Sequence, residues 1–441
     1  MFLKSAEHSS GKKNKPKRTG RNLLLLFSSI SILLIILELV FRWMLFGNSP
    51  SFQNWRNPGL YASVFSDEYW KLSYYWNTHG RPPPDPHPLL GWTGLYDRGS
   101  LVHYDFPLIG KRRPVLLFGD SFSQCIDTVK CFQKFLNSDT AFAKDNFLLN
   151  YGTGGFGLDQ IYLLAKQTVP HYKDPLVVFG FLTTDIDRSI LTFRTGQKPW
   201  YSLEADSLKL NGFPVWQDTD SFIHSFPPQI TSYLWRRFLH SRLNFLPWKC
   251  NPGKKEEFRF MNEARSINEK IIVAAATEFR KMNIDFVFLI FHHEDLLNEQ
   301  DAQGGWRDTF LLRVLTENEI PFIWTKDIVK KDTGIRDYQF ERYIIPGDGH
   351  PTSYFNSLIS RAIADSVFAH PPREKDPTDL PDDRYFESRI AKIENLIRND
   401  PAKMQKITES AARKKEDLDI LIRRNAVMLL NRELENQWGR K

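Results

Sequence analysis

Cysteine is scarce in this 441-residue chain, which has three, at Cys125, Cys131 and Cys250. That excludes a small scaffold stapled by disulfides. A single bridge between Cys125 and Cys131 remains open, with Cys250 left over; three free, buried thiols is the other reading, and the sequence does not choose between them. No internal repeat or long low-complexity tract is present, and no Gly-rich segment is followed by Gly-Lys-Ser or Gly-Lys-Thr, so nucleotide chemistry has no support. An excess of positive charge is missing from the body of the chain. The formal net charge is +7, yet Lys4, Lys12, Lys13, Lys15, Lys17, Arg18 and Arg21 stand against Glu7 alone in residues 1–21, so the remainder is nearly neutral. The electrostatic argument for a nucleic-acid partner is thereby lost. With 41% apolar and 25% charged residues the chain is too apolar to be disordered. Its length favours one main domain with additions over a single core.

One hydrophobic run is long. Leu23 to Phe41 is interrupted only by Ser28, Ser29, Ser31 and Glu38, and as a helix it spans about 28 Å, enough for a bilayer core. A cleaved secretory signal peptide is the competing reading, because the charge-free stretch ends at Leu37, but no small-x-small cleavage site follows. A buried core helix explains neither the seven preceding cations nor the lack of charge. The segment is therefore read as an anchor, with Glu38 pairing Arg42 one turn on and snorkelling toward the headgroups, and with Trp43 at the interface. Positive charge stays cytoplasmic, which sends the rest of the chain across the membrane, to the periplasm or cell exterior in a bacterium.

Residues 48–113 are rich in Trp, Tyr, Pro and Gly without periodicity and read as an irregular membrane-proximal segment. From Val115 short apolar runs end in Gly, Asp or Asn and are followed by helix-like stretches, the alternation of a parallel α/β sheet. Strands are expected at Val115–Phe118, Phe147–Leu149, Leu176–Leu182, Asp285–Phe291 and Pro321–Trp324. Helices are expected at Leu158–Thr168, Met261–Met282, Trp306–Asn318 and Ser353–Ala369. Between them, residues 193–258 form an aromatic insertion in which Trp200–Leu203 and Leu208–Leu210, flanking Asn211-Gly212, read as a hairpin. Its Trp200, Tyr201 and Trp216 suit either sugar stacking or core packing, with core favoured. Beyond His370, apolar positions such as Ile390, Ile393, Ile397, Ile407, Leu418, Leu421 and Leu429 recur at helical spacing among charges, a helical extension able to dock a protein partner.

Three segments carry chemistry. Val115-Leu-Leu-Phe-Gly-Asp-Ser-Phe-Ser123 is a buried strand that stops at Gly119-Asp120-Ser121 and opens into a helix, putting Ser121 where α/β sheets bind ligands and where first-turn amides hold an oxyanion. The same residues equally suit a helix N-cap. Asn150-Tyr-Gly-Thr-Gly-Gly-Phe-Gly157 follows the second strand, and its glycines let backbone amides approach a ligand or simply make a turn. Pro346-Gly-Asp-Gly-His-Pro-Thr352 brings Asp348 and His350 onto a loop before the last helix, where the carboxylate can orient the imidazole and the imidazole can take a proton from Ser121. His292-His293-Glu294-Asp295 has metal-ligand residue types, but neighbours at a strand end point opposite ways, so no metal site is assigned. Asp185 and Asp187 are expected to cap or to pair with Arg188.

These three blocks, in this order, resemble the SGNH (GDSL-type) hydrolase family over residues 114–369. The resemblance implies a flavodoxin-like three-layer α/β/α sandwich with a parallel sheet, Ser121 as nucleophile, Asp348 and His350 as its partners, an oxyanion hole drawn from Ser121, Gly155 and Thr184, and no cofactor. Two departures stand out. Thr184 occupies the position where the family has an Asn that donates to the oxyanion, and loss of one such donor costs about 10²–10³ in turnover. Asp348 and His350 enclose only Gly349, where the family usually has two residues. The expected organisation is a basic cytoplasmic tail (1–21), a transmembrane anchor (22–46), the irregular segment (47–113), a hydrolase-like domain (114–370, insertion 193–258) and a charged helical extension (371–441). The expected function is a serine esterase or acyltransferase acting on an acylated envelope glycan or similar ester. The alternative is a weak or inactive accessory protein of the same fold that binds a glycan or a membrane-complex partner.

Overall fold

The computed structural model describes residues 17–47, 49–77, 86–215, 218–242, 252–293, 305–333, 340–372, 383–414, 417–426 and 429. In chain order the principal elements are α1 (Lys17–Phe46), α2 (Asp67–Asn77), β1 (Arg113–Gly119), α3 (Ser121–Gln124), β2 (Asn146–Gly152), α4 (Leu158–Thr168), β3 (Leu176–Leu182) and α5 (Asp185–Arg188). They continue with α6 (Tyr233–Arg242), α7 (Pro252–Lys281), β4 (Asp285–Phe291), α8 (Trp306–Glu317), β5 (Phe322–Trp324), α9 (Ser353–Phe368), α10 (Asp383–Arg398) and α11 (Pro401–Lys414). The five strands form one parallel sheet in the order β2-β1-β3-β4-β5. All five expected strands are present.

Alternation along the strands builds the three layers. Leu116, Phe118, Leu149, Tyr151, Val177, Phe179, Phe288 and Ile290 share one apolar cluster with Ile161 and Leu164 of α4, Ile271 and Ala275 of α7, and Leu311 and Val314 of α8. Val115, Leu117, Leu148, Val178, Leu182, Val287 and Leu289 join Phe355, Ile359, Ile363 and Val367 of α9 on the other face. Both faces of the sheet are covered, which is why its strands read as unbroken apolar runs. Arg113 enters the sheet's other end fully buried, held by Asp285 at 2.6 Å and by the carbonyl oxygen of His370 at 2.7 Å.

Three expectations are revised. The membrane-proximal segment contains an 11-residue helix, α2. The periodicity was masked because its Trp, Tyr and Lys side chains bridge several partners instead of lining one apolar stripe: Leu72 and Trp76 pack on Phe41, Tyr61 and Tyr233, while Tyr74 packs on Phe193. The insertion hairpin pairs Trp200–Glu204 with Ser207–Asn211 and turns at Ala205-Asp206, both at positive φ as a two-residue hairpin loop requires. Asn211-Gly212 lies beyond it, with Gly212 under the Trp200 ring. Asp187 pairs with Arg307 at 2.6 Å. Tyr201 is buried and Trp200 half-buried, while Trp216, Cys250, Glu294 and Asp295 lie outside the described residues. Cys125 and Cys131 are joined by a disulfide.

The additions are tied to the core by charge. Lys198 of the insertion is buried with its ammonium 2.5 Å from Asp159 of α4 and donating to the carbonyls of Leu191 and Pro199. Residues of α10, α11 and 418–426 enclose their own cluster of Ile390, Ile397, Ile407, Leu421 and Ile422, linked to the body by Arg424 on Asp105 at 2.6 Å. Burial pushes the Asp159 carboxyl up to about 6, against the pull of Lys198. A carboxyl whose folded value exceeds its unfolded one keeps a proton that the unfolded chain has lost, so stability rises as pH falls through that window. Lys198→Met removes the counter-charge and should cost about 3–5 kcal/mol at pH 7.5. Part of that loss should return at pH 5. Denaturant unfolding at both pH values tests this, and a loss independent of pH would contradict it.

Candidate active site

The sheet order reverses between β1 and β3, and the crevice at the carboxyl ends of those strands is where an open α/β sheet binds ligands. Ser121 lies there, as the first residue of α3. The N-cap role that Gly119-Asp120-Ser121 suggested falls to Asp120, its carboxylate accepting from the Phe122 amide at 2.9 Å. Among the described residues the Ser121 hydroxyl makes no hydrogen bond, and its amide, at the first helical position, has no partner within the helix.

Space for this turn comes from missing side chains. A Cβ on Gly119 would fall 2.0 Å from the Ser123 hydroxyl, one on Gly152 would fall 2.2 Å from the backbone nitrogen of Gln124, and one on Gly180 would fall 3.0 Å from the Ser123 hydroxyl. Asn150 braces the turn from β2, donating to the Ser123 carbonyl at 2.7 Å. Its role is structural.

The second glycine block follows β2. The Gly154 amide donates to Gln124 at 2.7 Å, and the Gly154 carbonyl accepts from the Trp92 indole at 3.0 Å. In a trans peptide the carbonyl and the next amide point in opposite directions. Trp92 therefore fixes the Gly155 N–H to face away from the indole. Among the described residues that amide has no acceptor. Gly155 sits at φ +82°, where a side chain is strained, and a Cβ there would also meet Arg194 at 2.7 Å. The site stays compact: a Cβ on Gly154 would lie 3.9 Å from that of Ser121. Trp92, Gln124 and Arg194 escaped the sequence reading. The spacing of Gln124, three residues after Ser121, was the one local signal, since it places both on the same face of the turn.

Asp348 and His350 lie on the loop between Ile344 and α9. The His350 Nδ1 is 2.6 Å from the Asp348 carboxylate, with Asp348 the more exposed of the two. A carboxylate accepting from Nδ1–H keeps the proton on that nitrogen and leaves Nε2 as the base. Gly347 and Gly349 adopt positive φ, which lets one intervening residue bring the two side chains together. The His350 ring lies 5.4 Å from the ring of Phe122, the neighbour of Ser121. His293 approaches the same ring at 6.4 Å and faces Gly349. His292 turns the other way, into the core, where its Nδ1 meets the Thr325 hydroxyl at 2.8 Å and burial drives its imidazole well below the usual range. The two histidines thus diverge, as adjacent residues at a strand end do.

Beneath Ser121 lies a cluster of buried charge. Arg188 donates to Asp120 at 3.2 Å and to the Phe156 carbonyl at 3.0 Å, and pairs with Asp185. Burial opposes the Arg188 charge, but Asp185 and Asp120 outweigh it and hold the guanidinium above its ordinary value. Burial raises the Asp185 carboxyl well above the carboxylate range despite Arg188, and its other oxygen accepts from the Leu182 amide at 2.8 Å. Arg194, over the Trp70 ring at 4.6 Å and touching the Gly155 carbonyl at 3.3 Å, is lowered to about 9 by burial and by Arg188. Thr184 sits half-buried at the start of α5 with its hydroxyl not engaged in capping.

No family model and no curated protein matches the chain. Among solved structures it is similar to an acetyl xylan esterase from Geobacillus stearothermophilus, at 12% identity over 58% of this chain and 95% of that one, with a TM-score of 0.34. It is also similar to a member of the lipolytic protein G-D-S-L family from Veillonella parvula, at 12% identity over 59% and 100%, with a TM-score of 0.30.

The Gly152 contact yields a test. Gly152→Ala sets a methyl against backbone that cannot rotate away, so it should destabilise the fold by about 1–3 kcal/mol or more and displace α3. Thermal unfolding reads the first effect and reaction of Ser121 with a fluorophosphonate the second. A variant as stable and as reactive as the parent would refute the notch.

Proposed function

We propose that this protein is a membrane-anchored serine esterase or O-acyltransferase that removes or moves an acyl group, in the first instance acetyl, on an envelope glycan. The observation that carries this reading is the unengaged Ser121 hydroxyl on a helix N-terminus at the switch point, with the Asp348–His350 pair packed against its neighbour Phe122.

The chemistry follows from these groups. Ser121 Oγ attacks the acyl carbonyl carbon while His350 Nε2 accepts its proton, and Asp348 stabilises the imidazolium that forms. The oxygen that becomes negative is met by the amides of Ser121 and Gly155, with the Thr184 hydroxyl as a third donor. Collapse expels the sugar oxygen, which takes the proton back from His350 and leaves an acyl ester on Ser121. Water then releases the acid, or an acceptor hydroxyl takes the acyl group. Glycan as the substrate class is supported by the position of the domain beyond the anchor, and α1 as that anchor by the exposure of Leu23 to Leu37 along it.

The full-length protein in nanodiscs should be labelled by a fluorophosphonate and hydrolyse an aryl acetate. Ser121→Ala should abolish both, and His350→Ala should lower acylation by about 10³-fold or more. His293→Ala should retain activity within about tenfold, because among the described residues no carboxylate stands behind His293. Folded protein with neither Ser121-dependent labelling nor hydrolysis would overturn the enzymatic reading and leave the accessory one. Equal losses in the two histidine variants would reject the assignment of the base.

A further inference from the structure

Glu38 is out of place in an apolar span. Leu23 to Leu37 reaches about 22 Å as a helix, short of the ~30 Å hydrocarbon core. Beyond Glu38 the helix again exposes Leu39, Val40 and Trp43, the last at 69%. A span that ends at Trp43, a residue type of the membrane interface, carries the Glu38–Arg42 pair inside its outer end. Charges at such a depth persist only when protein groups satisfy them.

Here they do, and every partner outside α1 comes from the lead into α6. Glu38 accepts from the Ser232 hydroxyl at 2.7 Å and from the amides of Tyr233 and Leu234 at 2.9 and 3.1 Å, besides Arg42 at 2.8 Å. Arg42 donates to the carbonyls of Ile230 and Thr231 at 2.8 and 2.9 Å. The first turn of α6 is thus capped by a residue of the span, which sets α6 at the depth of Glu38. Tyr233 turns inward onto Phe46 and Tyr61. Trp235 and Phe238, three residues apart and so on one face, are 57% and 46% exposed with stacked rings 5.6 Å apart.

We infer that α6 is an interfacial helix whose Trp235–Phe238 face inserts into the lipid leaflet from which α1 emerges. The occupant is the bilayer itself, because the first turn of α6 is capped from within the span by Glu38, where α1 exposes Leu39, Val40 and Trp43. Large aromatic rings at headgroup depth are stabilised there, whereas in water they leave an apolar patch. The inference rests on reading α1 as the anchor and is independent of the serine chemistry.

The test uses full-length Cys250→Ser protein, its disulfide intact, in phosphatidylethanolamine–phosphatidylglycerol nanodiscs. Nitroxides are attached singly at Leu34→Cys in the span, at Trp235→Cys and Phe238→Cys, and at Leu203→Cys on the insertion hairpin. Accessibility to oxygen and to a nickel chelate reports depth. Position 34 should be deep, 235 and 238 shallow but oxygen-rich, and 203 aqueous. Nickel access at 235 and 238 equal to that at 203, with 34 still deep, would overturn the inference and leave the anchor standing. Labels at 235 and 238 shielded from both reagents would put protein in place of the leaflet on this face and overturn it too. An aqueous label at 34 would remove the anchor and the inference together.

Discussion

Glycines that end β1 and β2, with Gly180 two residues before the end of β3, leave a notch in the carboxyl edge of the sheet, and the helix bearing Ser121 sits in it. The fit is one of backbone against backbone at Gly152, where the opposing atoms are the Ser123 carbonyl carbon and the Gln124 nitrogen. It is one of backbone against a buried hydroxyl at Gly119 and Gly180. Side chains at these positions would lift the turn and take Ser121 out of reach of the Gly154–Gly155 peptide. Interiors this closely packed transmit such a shift instead of absorbing it. The chemistry of the site is therefore conditional on atoms that are absent.

Charge holds the floor of that notch. Asp120 caps α3 with one carboxylate oxygen and receives Arg188 on the other. Arg188 also reaches the Phe156 carbonyl, within the second glycine block, so one guanidinium ties the Ser121 turn, the Gly155 loop and α5 together. Asp120 and Asp185 both face Arg188, and Arg194 approaches from the insertion on the other side of Gly155. On the proposed reading, Arg194, which touches the Gly155 carbonyl, is the cation placed to favour a developing oxyanion at this loop.

The sheet was legible because both its faces are buried. Leu176–Leu182 and Asp285–Phe291 have the bounds their apolar runs suggest, since strands covered on both faces leave no polar alternation to confuse them. Ser121, Asp348, His350 and Gly155 were legible as residue types in short segments, and the structure gathers those segments at one edge. What escaped reading depends on contacts distant in the chain. Trp92 lies in a stretch without periodicity and acts on Gly154, 62 residues away. Arg188, expected only to pair locally with Asp185 or Asp187, spends its reach on Asp120 across the switch point, while Asp187 turns to Arg307. The helix α2 was hidden for the same reason, its side chains answering to several partners instead of one core. The turn at Ala205-Asp206 escaped because neither residue there announces a positive φ as Asn-Gly does.

The same long-range contacts join α1 to the candidate site. Phe41 and Leu45, at the outer end of α1, pack with Tyr61, Leu72, Trp76 and Tyr233, so the span is built into the domain instead of joined to it by a linker. From that cluster α2 carries Asp67 to the amides of Thr192 and Phe193 at 2.8 and 3.1 Å, immediately before Arg194. Trp92, from the segment that follows α2, meets the Gly154 carbonyl. Both sides of the Gly155 loop are thus braced by residues lying between α1 and the sheet. A tether made this way fixes the height and tilt of the crevice relative to α1, because packed aromatic clusters have no soft torsion about which a domain swings. If α1 is the anchor and Ser121 the nucleophile, as proposed, the reach of Ser121 is set by this geometry, and substrates presented at one distance from the bilayer are the ones the site would meet.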